Sequence, residues 1–281
     1  MKRLAIAAAV LASACQSAAP APDTVQAGEA IVLGRSYAIE SQALGETRRI
    51  NIYLPPGYGE GAASYPVLYL IDGGVDQDFV HIAGLSQHAT ISASFREMIV
   101  VGVETIDRRR ELTFPATHDV SLRTDYPTHG DSAKFRAFIA DEVKLWVESR
   151  YRTDGYDAVI GESLAGLFVA ETFLRQPDLF DGYVAIDPSL WWDNGALATE
   201  ARALLAAQPD GERTFYVAVA HGVPAMRLGQ TVLSQAIKTT AKPGVSFTYE
   251  IMDDEEHSTI YHRAALKGLR IVFANSPEAE K

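Results

Sequence analysis

The sequence is poor in cysteine and in positive charge. Its 281 residues contain a single cysteine, Cys15, so an intramolecular disulfide is excluded. Lysine and arginine number 25 against 36 aspartates and glutamates, which gives a formal net charge of -11. Nucleic-acid backbones and anionic lipids demand clustered positive charge, and the only dense basic run is Arg108–Arg110. Nucleic acid is therefore disfavoured as the main partner.

The N-terminus reads "MKRLAIAAAVLASAC", a basic start followed by a short apolar run and small residues before Cys15. The run is too short to span a bilayer permanently, so it predicts a secretory leader over residues 1–15. "LASAC" resembles a bacterial lipobox, in which Cys15 is lipidated and becomes the first residue. The alternative is ordinary cleavage after "ASA" and a soluble exported protein. Both place the protein outside the cytoplasm, in the periplasm or on the outer membrane.

The rest of the chain has the composition of a globular protein, with 47% hydrophobic and 22% charged residues. Residues 16–28 are small and Pro-rich, which predicts a flexible tether. We expect one domain over residues 29–276 and a short tail over 277–281.

Strand and helix patterns alternate along this domain. "RSYAIES" and "TRRINIYLPPGY" predict two antiparallel strands, whereas "YPVLYLID" and "EMIVVGVE" are apolar runs typical of strands buried on both faces. Later strands alternate with helices such as "SAKFRAFIADEVKLWVESRY". This order predicts an α/β fold with a mostly parallel sheet flanked by helices. Residues 105–131 lack a clear period and predict a lid or binding loop.

Residues 160–166 read "IGESLAG" and nearly match the G-x-S-x-G turn that presents a nucleophilic serine. Gly161 and Ser163 fit, and Ala165 replaces the last glycine. The apolar "AVI" predicts a strand end and "LFVAETF" a helix, so Ser163 falls in the strand-to-helix turn that the motif requires. Small neighbours are needed there because larger side chains would collide with nearby backbone. Ser163 is therefore predicted to be a nucleophile; the alternative is a helix cap.

A serine needs a neighbouring base to become nucleophilic. Of the seven histidines, His257 follows the last predicted strand, in "VSFTYEIMDDEEHST". That is the chain order in which a nucleophile of this kind meets its base. His221 follows the preceding strand and His262 lies in the closing helix, so both remain alternatives.

From "INIYLPPGY" to "EEHS" the chain resembles the esterase D-like branch of the α/β-hydrolases, and within it the bacterial siderophore-esterase-like group. The resemblance is carried by "YLPPGY", "YPVLYLIDG", "VGVET" followed by arginines and "LTFP", "GESLAGLF", "PSLWW" and "EEHS". It covers nearly the whole mature chain. It implies a single α/β-hydrolase domain that cleaves small-molecule esters through an acyl-enzyme, with no metal or organic cofactor.

The resemblance also implies roles for individual residues. Ser163 would be the nucleophile and His257 the general base. The oxyanion hole would use the backbone N–H of Leu164 and a second N–H from Gly73 or Gly74.

Substrate contacts follow from the same resemblance. Trp191 and Trp192 would wall an acyl or aromatic pocket, with ordinary core packing as the alternative. Arg109, with its neighbours Arg108 and Arg110, would meet an anionic substrate, with a solvated charge run as the alternative.

The acid of the triad is where the sequence departs from the family pattern. Relatives carry an aspartate after the strand that corresponds to "TFYVAVA", but here that strand runs into "HGVPAMRLG", which has no carboxylate. Asp187, in "AIDPSLWW", is preferred because it ends a central strand. A carboxylate of Asp253–Glu256 is a second option, and a serine-histidine dyad is a third. Glu162 is not expected to be the acid, because a residue adjacent to the nucleophile points away from it.

These features predict an exported, lipid-anchored serine esterase that acts on a siderophore-type or another extracytoplasmic ester. Two alternatives stay open, an acyltransferase of the same fold and a non-catalytic binding protein of the cell envelope.

Overall fold

The computed structural model describes residues 28–222 and 224–275. The chain from Leu33 onward forms one compact unit, and Met1–Val32 is a separate unit. Of that separate unit only residues 28–32 are described, and these are exposed and without regular structure. The predicted leader with Cys15, nearly all of the tether and the tail over 277–281 lie outside the described residues, so their boundaries stay predictions.

Strands of the compact unit form one sheet. In the described part of the chain they are β1 Arg35–Ser41, β2 Glu46–Tyr53, β3 Tyr65–Ile71, β4 Ile99–Val103, β5 Thr153–Glu162, β6 Gly182–Ile186, β7 Arg213–Ala220 and β8 Val245–Met252. Their order is β1-β2-β4-β3-β5-β6-β7-β8. β1 pairs antiparallel with β2 and β2 with β4, whereas β4, β3 and β5 to β8 run parallel. The predicted α/β fold with a mostly parallel sheet is confirmed.

Helices cover both faces of the sheet. They are α1 Phe79–Ser92, α2 Arg108–Leu112, α3 Val120–Asp125, α4 Ser132–Phe138, α5 Lys144–Glu148, α6 Leu164–Arg175, α7 Trp192–Ala207, α8 Pro224–Thr240 and α9 Ile260–Val272. A π-helical turn, Ile139–Val143, joins α4 to α5. One core cluster packs α1 and α9 on the sheet, and a second packs α4, α6, α7 and α8 on the other face. The carboxyl ends of the parallel strands therefore meet at one edge.

Helix α1 was not predicted from the sequence. It buries Phe79, Ile82 and Ala83 but leaves Val80 and Ile91 exposed. Because its apolar side chains are spread around the axis, the helix has no single apolar stripe from which periodicity could identify it.

The segment 105–131, predicted as a lid or binding loop, carries the short helices α2 and α3. It is anchored by the buried side chains of Phe114 and Leu122 and by a buried ion pair between Glu111 and Arg48. In this pair Glu111 accepts two hydrogen bonds of 2.8 Å from the wholly buried guanidinium of Arg48. The segment is therefore fixed to the core over much of its length, and its role as a lid stays a prediction.

Candidate active site

Ser163 lies in a strained turn between β5 and α6. Its backbone angles are φ 59° and ψ -116°, in the left-handed half of φ space, which costs a non-glycine residue about 1–3 kcal/mol. The turn is held by its N–H donating to Ile186 O (3.0 Å) and by its carbonyl accepting from Leu167 N–H (2.9 Å). The predicted strand-turn-helix setting of Ser163 is therefore present.

Small residues on either side make this turn possible. A Cβ at Gly161 would lie 2.6 Å from the Ala165 Cβ, and a Cβ at Gly166 would lie 2.8 Å from the Ile186 carbonyl oxygen. Ala165 itself is fully buried. The Ala165 methyl therefore fits only because the position opposite is glycine, which explains how the departure from G-x-S-x-G is accommodated.

Three side chains from three different loops meet at the carboxyl edge of the sheet. His257, between β8 and α9, places Nε2 3.1 Å from Ser163 Oγ. On the other side of the ring, Nδ1 lies 2.6 Å from Oδ2 of Asp187, which follows β6. This is the geometry of a Ser-His-Asp triad.

The surrounding protein directs several hydrogen-bond donors at the carboxylate of Asp187. Its side chain is 4% exposed, and Oδ1 accepts from Gln230 Nε2 (2.8 Å) and from Ala220 N–H (3.2 Å). Burial alone would raise the pKa of Asp187, but the hydrogen bonds from His257, Gln230 and Ala220 hold the pKa below its usual value. The bond to Asp187 raises the pKa of His257, against the opposing effect of burial.

The alternative acids and bases do not meet at this point. The carboxylates within 4 Å of the His257 ring, among the described residues, are Asp187 and Glu162. His221 is exposed beside Asp253, and His262 stacks on His81 with a 3.0 Å contact between ring nitrogens. Of the options that the sequence left open, the structure brings Asp187 and His257 to Ser163.

Glu162 is not the acid at Nδ1, as predicted, but its predicted orientation is wrong. Its Oε1 lies 3.5 Å from His257 Nε2, so it does not point away from the site. It approaches the nitrogen that faces Ser163, whereas the acid of a triad binds Nδ1, which is occupied by Asp187. Burial raises the pKa of Glu162 to about 7, although the positive charges of His257 and Arg108 oppose that rise.

The two glycines predicted for the oxyanion hole differ in the acceptors to which their N–H groups are hydrogen-bonded. Gly73 N–H donates to the Val103 carbonyl (2.9 Å), and a Cβ there would lie 2.3 Å from the Gly102 Cα. The prediction that Gly73 donates to the oxyanion is therefore wrong. A glycine is needed at this position because the backbone of Gly102 lies too close for a Cβ. Gly74 N–H donates to the Gln77 side-chain oxygen (2.9 Å), and Gln77 Nε2 in turn donates to the carbonyl and the hydroxyl of Thr105 (3.0 Å each). Leu164 starts α6, so its N–H has no intrahelical acceptor.

Ser189 and Gln230 were missed by the sequence analysis. Ser189 Oγ is 3.4 Å from Ser163 Oγ, and its N–H donates to the Ser163 carbonyl (3.0 Å). Ser189 belongs to "PSLWW", so that motif held a signal. Gln230 reaches Asp187 from α8, and no local pattern in the sequence indicates it.

The two tryptophans have different environments. Trp192 is wholly buried, donates from Nε1 to the Phe114 carbonyl (2.9 Å) and packs against Tyr126, so its prediction as a pocket wall is wrong. Trp191 is half-buried and lines a cleft of about 330 Å³, together with Leu228 and other residues of α7 and α8. Leu190, the residue that follows Ser189 in the sequence, also lines this largely apolar cleft.

The three arginines of α2 are also not equivalent. Arg110 is paired with Glu46 (2.6 Å) and Arg108 with Asp72 (2.8 Å). Arg109 stacks over the ring of Tyr126, 4.3 Å from its centroid. Within the described residues no carboxylate lies within 4 Å of the Arg109 guanidinium. Of the three arginines, Arg109 is therefore the one whose guanidinium forms no ion pair among the described residues.

Neither a metal cluster nor a membrane span is found in the part of the chain that the structure covers. No group of three or more His, Cys, Asp or Glu side chains there is arranged to hold a metal ion. None of the helices described is long and apolar enough to cross a bilayer.

The Esterase family model matches residues 41–263, which contain the whole constellation of Ser163, Asp187 and His257. The chain belongs to the Esterase family. It is similar to the ferri-bacillibactin esterase BesA of Bacillus subtilis, 32% identical over 163 residues, which cover 53% of this chain and 56% of BesA. A siderophore enterobactin esterase of Emericella nidulans is 31% identical over 131 residues, 43% of either chain. The chain thus spans about half the length of these curated relatives.

Solved structures of related proteins have the same fold. An IroE-like serine hydrolase from Shewanella oneidensis matches with a TM-score of 0.79 at 28% identity, over 85% of this chain and 80% of that one. The BES protein from Bacillus cereus matches with a TM-score of 0.78 over 89% of this chain and 100% of that one, at 22% identity. The second likeness concerns the fold alone.

Proposed function

We propose that the protein is a serine carboxylic ester hydrolase that forms an acyl-enzyme on Ser163. The observation that carries this proposal is the continuous contact from Ser163 Oγ to His257 Nε2 (3.1 Å) and from His257 Nδ1 to Asp187 (2.6 Å), at the strained turn of an Esterase-family chain. Such a constellation makes a hydroxyl nucleophilic, and a hydroxyl alone is not.

In the acylation step His257 Nε2 takes the Ser163 proton as Oγ attacks the ester carbonyl. The carbonyl electrons move onto oxygen, and this oxyanion accepts hydrogen bonds from Leu164 N–H and from Gly74 N–H once Gln77 has released it. The tetrahedral intermediate collapses, the carbon–oxygen bond to the leaving alcohol breaks, and His257 gives its proton to that alcohol.

Water completes the reaction by the same route. His257 removes a proton from a water molecule, the hydroxide attacks the acyl carbon, and the proton returns to Ser163 Oγ as the acid leaves. Throughout, Asp187 keeps Nδ1 protonated and stabilises the imidazolium.

We also propose a siderophore-type ester as the substrate class. The relatives named above as siderophore esterases support this, as do the guanidinium of Arg109 and the largely apolar cleft beside Trp191. An arginine suits the oxygens of an anionic chelator, and an apolar cleft suits its acyl or aromatic portion.

Export as a lipoprotein anchored through Cys15 is part of the proposal. The leader and the sequence "LASAC" support it. Mass spectrometry of the mature N-terminus would test it: a diacylglyceryl group on Cys15 is expected, and an unmodified cysteine or a start after Cys15 would contradict lipidation.

The esterase proposal is tested with the full chain and its Ser163→Ala variant. A fluorophosphonate probe should label the wild type and not the variant, and hydrolysis of p-nitrophenyl butyrate should fall to background. Enterobactin is then offered as substrate, with hydrolysis followed by liquid chromatography. Absence of both labelling and turnover in the folded wild type would refute the esterase and favour a binding protein.

An added alcohol distinguishes hydrolysis from acyl transfer. If the alcohol takes up most of the acyl group at low concentration, the acceptor is not water and the protein is an acyltransferase. Free acid as the dominant product supports the hydrolase.

A further inference from the structure

Glu162, the last residue of β5, lies against the reacting nitrogen of His257. Its Oε1 is 3.5 Å from Nε2, the same nitrogen that lies 3.1 Å from Ser163 Oγ. Neighbouring residues on a strand point to opposite faces, but Ser163 has left the strand conformation with φ 59°. The turn therefore brings the side chains of Glu162 and Ser163 to one imidazole.

The Glu162 carboxyl is poorly solvated. Its side chain is 19% exposed, and in the described residues its partner within 4 Å is the His257 ring, with no hydrogen-bond donor set against the carboxyl oxygens. A carboxyl withdrawn from water without hydrogen bonds is unfavourable for folding. A small apolar residue would avoid that cost, so packing does not explain the glutamate.

Charges on several elements face this carboxyl. His257 and Arg108 favour its ionised form, whereas Asp78 and Asp187 disfavour it. The titratable and charged groups that act on Glu162 come from the turn before α1, from α2, from the loops after β6 and β8, and from α9: Asp78, Arg108, Asp187, His257 and Tyr261.

We propose that Glu162 is a second positioning carboxylate of the triad, stabilising protonated His257 from the Nε2 side while Asp187 holds Nδ1. The inference rests on the proposed esterase function for its catalytic meaning. The contact between Glu162 and His257, by itself, does not depend on which ester is cleaved.

The proton balance of the reaction is unchanged by this role. The Ser163 proton moves to His257 Nε2 and then to the leaving alcohol, and Glu162 neither gives nor takes a proton. As the imidazolium forms, the Glu162 carboxylate faces a positive charge, whereas in the resting enzyme it faces a neutral ring. Its attraction is thus stronger in the transition state than in the ground state, which is the condition for raising kcat.

Glu162→Gln therefore removes a charge that acts mainly during the chemical step. We expect kcat to fall about tenfold with KM changed less than about twofold, because one opposite charge at this distance shifts an imidazole equilibrium by about one pKa unit. Glu256→Gln is the matched control. It removes an exposed carboxylate one residue before His257, and that carboxylate is not among those within 4 Å of the His257 ring nitrogens.

The pH profile separates a positioning role from a structural one. In the wild type the acid limb of kcat should follow the loss of the His257 proton, with the Glu162 carboxylate raising the pKa of that ring. In Glu162→Gln the limb should lie at lower pH, because a charge that raises the pKa of His257 is gone. A residue needed only for packing would lower activity without moving the limb.

Nuclear magnetic resonance gives a readout that does not need turnover. The His257 ring is titrated in the wild type, in Glu162→Gln and in Glu162→Asp, whose shorter carboxylate should restore part of the shift. A fall of about one unit in the His257 pKa of the glutamine variant supports the proposal. An unchanged His257 titration, or an acid limb at the same pH in the wild type and in Glu162→Gln, overturns it. If Ser163→Ala retains full activity, the esterase proposal fails, while the titration still tests the contact.

Discussion

Asp187→Asn should show how much of catalysis depends on the buried acid. Oδ1 of Asp187 accepts from Gln230 Nε2 (2.8 Å) and from Ala220 N–H (3.2 Å). The side-chain oxygen of an asparagine must therefore stay at that position, which turns its NH₂ group towards His257 Nδ1. Because Nδ1 must then accept a hydrogen bond, the ring proton moves to Nε2. A protonated Nε2 cannot take the proton of Ser163.

A wrong tautomer of this kind lowers kcat of a Ser-His-Asp triad by about 10⁴-fold, or about 5 kcal/mol of transition-state stabilisation. The fold should be retained, because the substitution keeps the size of the side chain and its two hydrogen bonds from Gln230 and Ala220. KM should change little, since the triad acts on the chemical step.

The assay is steady-state hydrolysis of p-nitrophenyl butyrate at pH 8.5, about two units above the ordinary histidine pKa, because the pKa of His257 is raised. Asp254→Asn is the control, because it removes an exposed acid from the same loop as His257. A kcat within tenfold of wild type in Asp187→Asn would refute the triad. It would favour a serine-histidine dyad or another carboxylate.

Two further substitutions test the scaffold. Glu111→Gln leaves the buried Arg48 charge without its main partner and should lower the free energy of unfolding by about 3 kcal/mol in urea titrations. Glu40→Gln, at an exposed position, is the control and should leave the free energy of unfolding unchanged. Equal stabilities of the two variants would contradict a stabilising role of the buried pair. Gly161→Ala places a Cβ 2.6 Å from Ala165 and should displace the nucleophile, lowering kcat about 100-fold. Gly84→Ala, whose Cβ meets nothing within 4 Å, should leave kcat unchanged; similar kcat values for both would contradict the crowding.

Local patterns were sufficient to predict much of the fold and the strand-to-helix turn that holds Ser163. The apolar run before Ser163 and the helical pattern after it predicted the turn, because a buried strand and a helix each have a strong local period. Chain order alone singled out His257 among the histidines. These predictions depend on short-range features that a sequence displays directly.

Contacts between distant segments were harder to predict. Asp187 was preferred because it ends a central strand, but its hydrogen bond from Gln230 depends on how α8 packs. Glu162 was predicted to point away because it is adjacent to Ser163 in the sequence, but the positive φ of Ser163 ends the strand and brings both side chains to His257. Trp192 was placed on a pocket wall, yet packing of the segment 105–131 buries it completely.

The central claim is that Ser163 carries the acyl group, and trapping of the intermediate tests it most directly. The wild type is mixed with excess p-nitrophenyl butyrate, quenched in acid within the first turnover and digested for mass spectrometry. We predict a burst of p-nitrophenol and a butyryl group on the peptide that contains Ser163. Turnover with the acyl group on another residue, or unchanged turnover in Ser163→Ala, would contradict the account.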